Sequence, residues 1–142
     1  MLGWKSNTKA GALKEILKGG TAMFTIAKEE AKIAGRLLAC TLALRVPFLT
    51  QSVSLVGHSL GCQVIKSCLK ELHTFGTHDL IENVTFLAGA ASRFDKDDRA
   101  KEYWARVFSA VVNGVIRNVY TKVDKILHFY RLCEHRDPIG HC

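Results

Sequence analysis

Residues 52 to 73 join a β-branched run to an amphipathic stretch through five residues, Gly57-His58-Ser59-Leu60-Gly61, and that joint leaves few folds open. A strand that turns at once into a helix belongs to chains in which parallel strands are linked by crossover helices. The rest of the sequence after Ser52 repeats the alternation. Strands are expected over Ser52 to Val56, Asn83 to Ala88 and Val115 to Tyr120, and helices over Cys62 to His73, Asp98 to Val112 and Lys125 to Cys133. Asp97 or Asp98 is placed to cap the second helix, whose stripe of Trp104, Val107, Phe108 and Val111 should lie on the sheet. Val53 to Val56 and Val84 to Ala88 read as nearly continuous apolar runs, which places the first two strands centrally.

The residues before the joint are helical in pattern, over 8 to 18 and 22 to 45, with a break at Gly19-Gly20 and a stop before Pro47. The expected fold is therefore α/β: a parallel sheet with βαβ units after a helical N-terminal segment. A single domain covers 1 to 142, with the helical segment at 1 to 46 and a βαβαβα portion at 52 to 142. The 142 residues, 48% of them hydrophobic and only two proline, suffice for a core and exclude collagen-like and low-complexity classes.

The five-residue joint fits the pattern G-x-S-x-G, of which a chain with this composition contains roughly 0.04 by chance. Position sharpens the match. A serine thrust out of a tight strand-to-helix turn has strained backbone, and Gly57 and Gly61 supply the small flanks that close chain approach requires. The Leu60 N–H, at the positive end of the following helix, is an oxyanion donor in this reading. A serine hydroxyl needs a base to take its proton and an acid to orient that base. Asp124 follows the third strand at the carboxyl end of the sheet, where the acid of such a site belongs, although the same residue is placed to cap the helix after it.

For the base, His58, His73 and His78 all precede Asp124, and His128 stands four residues after it on one helix. His135 and His141 have the right chain order and stay as the two candidates, each in an irregular tail. Cys133, His135, His141 and Cys142 lie within ten residues, but a Cys-x-His start and a His-Cys end give strained bites, so no metal is expected. Cys62, at a helix start, has either a lowered thiol pKa or a packing role.

The net charge of +7 sits entirely in residues 1 to 70, which hold ten Lys or Arg against three Glu. Lys28, Lys32 and Arg36 recur every four residues opposite Met23, Ala27, Ala31, Ala34, Leu38 and Leu42, the arrangement of a solvated helix face. Contact with an anionic membrane surface is the alternative use of that stripe. No nucleic-acid partner and no cofactor are expected. Five cysteines, an odd count, fit reduced thiols, and with no secretory signal visible and a poor span at Val46 to Ile65 the expected location is cytoplasmic, with membrane association left open.

Several stretches together resemble one family, the transmembrane and coiled-coil domain-containing protein 4 group of α/β-hydrolase-like proteins. They are Ala34-Gly35-Arg36-Leu37-Leu38, Ser52 to Cys68, Ile81 to Gly89, Asn118 to Arg131 and Pro138-Ile139-Gly140. The resemblance implies a serine hydrolase of esterase or lipase type acting on a small-molecule or lipid ester, with Ser59 as nucleophile and Asp124 as acid. It departs from the family in three ways. The long apolar insertion upstream shrinks to Gly20 to Ala27, the strand carrying the other oxyanion donor has no counterpart, and Gly140-His141 falls inside the Pro-Ile-Gly stretch rather than well after it. The sequence reads like the central portion of a larger domain, and the isolated chain is expected to be inactive.

Overall fold

A computed structural model describes residues 9–45, 50–92, 100–121, 123–124, 127–128, 131 and 138–139. The elements follow in the order α1 (Lys9–Ala43), β1 (Val53–His58), α2 (Gly61–Thr74), β2 (Ile81–Leu87), α3 (Ala100–Val111) and β3 (Ile116–Val119). The three strands form a parallel sheet in the order β1-β2-β3. This is the expected α/β alternation, each crossover being a helix because parallel neighbours cannot be joined by a hairpin.

The expected break at Gly19-Gly20 is absent. Helix α1 runs through both glycines as one element of 35 residues, about 52 Å long. Two glycines cost a helix only ~1 kcal/mol each relative to alanine, too little to interrupt it. The helix ends where Arg45 takes a left-handed φ of 54° and donates its N–H to the Leu42 carbonyl.

The face of α1 turned to the protein is rotated from the expected one: it keeps Ala31, Leu38 and Leu42 but not Met23 or Ala34. Ala31, Gly35, Ala39 and Leu42 are buried, and so is Lys28, at 7% exposure. Met23 is 74% exposed, and Ile26, Ile33, Leu37 and Leu44 point outward with it. The helix carries two apolar arcs, so periodicity alone could not choose between them. Small residues decide it: a Cβ on Gly35 would collide with the Val64 carbonyl and come within 2.6 Å of Ser67 Cβ, so α1 and α2 touch backbone to backbone there.

The core is built from Ile65, Leu69 and Leu72 of α2, Ile81, Val84 and Phe86 of β2, and Trp104, Val107 and Val111 of α3. Each such side chain contributes ~1.5–3 kcal/mol on burial. Of the two strands expected at the centre only β2 is there among the described residues. Strand β1 lies at an edge, with Ser54, Val56 and His58 exposed on one face while Val53, Leu55 and Gly57 turn inward. The rows Val56–Thr85–Arg117 and His58–Leu87–Val119 share that outer face, and all four residues of β3 are exposed.

Candidate active site

Ser59 leaves the carboxyl end of β1 with a φ of 52°, a left-handed conformation that side-chain-bearing residues rarely adopt. Three backbone hydrogen bonds hold it. Its N–H donates to the Leu87 carbonyl at 2.9 Å, and its carbonyl accepts from Cys62 N–H at 3.1 Å and Ala90 N–H at 3.0 Å. The turn is thus tied to the end of β2 as well as to the helix it opens. Ser59 is half-buried, and its hydroxyl has no hydrogen-bond partner among the described residues.

The two glycines of the motif are not equivalent. A Cβ on Gly57 would lie 2.7 Å from Ile65 Cδ1 and 2.9 Å from both C and O of Gly61, whereas one on Gly61 would meet nothing within 4 Å. Only Gly57 is required by space. Leu60 has helical backbone and no side-chain cap precedes α2; the Cys62 and Gln63 N–H groups go to the Ser59 and Leu60 carbonyls, which leaves the Leu60 and Gly61 N–H groups without an acceptor among the described residues.

Beneath the turn lies Cys62, fully buried, whose thiol donates to the Gly57 carbonyl at 3.1 Å and reaches the Leu87 carbonyl at 3.7 Å. Burial pushes this thiol up to about 11, so the option of a lowered thiol pKa is overturned: desolvation outweighs the helix terminus. Cys62 is a packing residue that ties β1, α2 and β2 at one point.

Asp124 follows β3, the strand two places from β1, roughly 10 Å across the sheet. Its carboxylate accepts Leu127 N–H at 3.1 Å and its carbonyl accepts His128 N–H at 3.1 Å, the bonds of a helix N-cap. A small cluster draws the two neighbourhoods together. Leu127, one turn after Asp124, packs with Ala90, which holds the Ser59 carbonyl, and Phe24 of α1 and Ala88 complete it. Ala88 has a φ of 44°, a second strained residue beside the turn. No motif announced Ala88, Ala90 or Phe24, because their role comes only from packing.

His135 and His141, together with Cys133 and Cys142, lie outside the described residues. His58 is exposed on the outer face of β1, His73 stacks edge-on to Tyr103 with ring centroids 6.2 Å apart, and His78 Nδ1 lies 2.6 Å from the Ala110 carbonyl. His128 is exposed. No group of three or more metal-ligating side chains forms among the described residues.

Among the described residues no helix is long and apolar enough to cross a membrane. The chain is 39% identical over 101 residues to the uncharacterized membrane protein C6F6.13c of Schizosaccharomyces pombe. That match takes in 71% of this chain and only 12% of the relative's length. No solved structure matches it. A family match extends over residues 13–138, nearly the whole of the helix-and-sheet unit described above, and on that ground the chain belongs to the family described as protein of unknown function (DUF726).

Proposed function

We propose that the chain carries the nucleophile and acid of a serine hydrolase of esterase or lipase type. The observation that carries this reading is Ser59 itself, strained at φ 52° between a parallel strand and a helix, its hydroxyl without a partner among the described residues. Ser59 Oγ attacks the ester carbonyl carbon while a histidine takes its proton, His135 or His141 by chain order. The carbonyl oxygen becomes an oxyanion facing the Leu60 N–H. Collapse of that intermediate expels the alcohol, which leaves with the histidine's proton, and water then releases the acid from the acyl-serine by the same steps in reverse roles. Asp124 orients the imidazole and offsets its charge. The substrate class is an ester of an apolar acyl group.

A second reading is favoured by the outward arc of α1. Met23, Ile26, Ile33 and Leu37 are exposed there beside Lys32 and Arg36, the composition of a helix that rests on an anionic bilayer. The relative's description as a membrane protein supports it. Lys28, being buried, drops out of the contact. In this reading the fold is a non-catalytic module for membrane-surface or protein contact.

A fluorophosphonate probe separates the two. Phosphonylation at Ser59 of a chain extended at both ends, mapped by mass spectrometry and lost in Ser59→Ala, is the expected result. Equal labelling of wild type and variant, or no labelling at all, removes the hydrolase reading and leaves the module.

A further inference from the structure

Helices α1 and α2 lie side by side, and the groove between them is lined on one wall by Lys32 and Arg36 and on the other by Lys66, Ser67 and Lys70. Two adjoining cavities of about 260 and 290 Å³ share Lys32, Ser67 and Lys70, so they form one continuous depression. Together they enter the size range of small-ligand sites, ~300–1,000 Å³. Four cations meet here, spaced one turn apart on each helix: Lys32 and Arg36 on α1, Lys66 and Lys70 on α2. Among the described residues the carboxylates beside them are Glu71, in the groove wall, and Glu29, which Lys32 holds at 2.6 Å.

Lys66 makes the groove more than a charged surface. It is only 4% exposed, its ammonium donates to the Ser92 carbonyl at 2.8 Å, and it stands 4.5 Å from the centre of the Trp104 ring. A cation with so little water around it attracts an approaching anion more strongly than a solvated one does. Trp104 forms the end wall, and its buried indole N–H has no acceptor among the described residues. Ser67 adds a directed donor: its oxygen accepts Gln63 Nε2 at 3.1 Å, which leaves its own hydrogen to point elsewhere. A guanidinium fork, ammonium groups and a hydroxyl spread over two walls match several acceptor oxygens around one centre.

We propose that this groove binds a phosphate group, carried either by a soluble phosphoester or by the headgroup of an anionic phospholipid. The site stands apart from Ser59, which is not in its lining. Its lipid form deepens the membrane-surface reading, because Ile33 and Leu37 follow Lys32 and Arg36 directly on α1 and would enter the acyl boundary beside a bound headgroup.

The test titrates the full chain with inorganic phosphate and, separately, with phosphatidylcholine vesicles made with and without phosphatidic acid. Arg36 and Lys70 are exposed, so Arg36→Glu with Lys70→Glu preserves the core, and Arg36→Gln with Lys70→Gln serves if reversal disturbs folding. The expected result is saturable binding of at least one probe, weakened roughly tenfold or more by the groove pair. The equal charge reversal Arg106→Glu with Arg117→Glu, on exposed residues of α3 and β3, should leave it within about twofold, since screening confines exposed charges to ~8 Å. Phosphate binding without vesicle binding assigns a soluble phosphoester, and binding that requires phosphatidic acid assigns a headgroup. The site is overturned if neither probe binds, if neither pair alters binding, or if both pairs weaken it equally. Fluorophosphonate labelling of Ser59 is unaffected by the groove pair, so failure of either proposal is read separately.

Discussion

Gly57 and Gly61 look alike in the motif, yet the structure gives them different work. Gly57 is where β1 passes against the backbone of the α2 entry, and an added Cβ there meets carbonyl atoms that cannot step aside as a side chain can. Gly57→Ala is therefore expected to lower the denaturant midpoint by the equivalent of ~1–3 kcal/mol. Gly61→Ala, with open space at its Cβ, should stay within ~1 kcal/mol of wild type, since alanine also favours the first turn of a helix. Equal losses in both variants would show that the turn, and not the contact with Ile65 and Gly61, sets the requirement. The strained turn at Ser59 was legible from the pattern because a tight strand-to-helix joint demands a small residue where the chain passes close to itself, here Gly57. The base was not. A histidine is brought to a serine by tertiary structure, and chain order narrows the choice only to His135 and His141, both outside the described residues.

Among the elements, α1 shows how packing overrides pattern. Its sequence offers two apolar arcs and one basic stripe, and the arc that docks is the one with the small residues Ala31, Gly35 and Ala39, which permit close approach to α2. A contrast between two glycines of the same helix tests this. Gly19→Ala, where a new Cβ meets nothing, should raise stability by up to ~1 kcal/mol through helix propensity. Gly35→Ala gains the same propensity but forces the helices apart, and a net loss of ~1–3 kcal/mol is expected in chemical denaturation. A stabilised Gly35→Ala chain would mean that α1 is not seated on α2 as described. Strand and helix alternation after Ser52 was legible because periods of 2 and 3.6 differ clearly. The buried Lys28 was not, since a long aliphatic stem packs like an apolar side chain while its residue type reads as surface. Nor was the edge position of β1, whose short apolar run looks the same whether one face or two are covered.

At the scale of the whole molecule, stability is centred on β2. It is hydrogen-bonded to a strand on each side, and Ile81, Val84 and Phe86 are in the core, whereas β3 has one described neighbour and no buried residue. Amide hydrogen exchange should follow that gradient, with the slowest amides in β2 and those of Ile116 to Val119 at least roughly tenfold faster, through local opening. Equal protection of the two strands would refute a centre of stability in β2. The thiol packed under Ser59 has a bearing on where such a fold can operate. With ionisation pushed up to about 11, roughly one Cys62 in ten thousand is thiolate at neutral pH, and peroxide attacks the thiolate. Cys68 is pushed up to about 12, which leaves exposed Cys40, out on α1, as the thiol among the described residues that oxidants reach first. The serine turn therefore rests on sulfur that peroxide leaves alone, and among the described residues oxidative stress that silences cysteine-dependent enzymes would mark this molecule along its long helix.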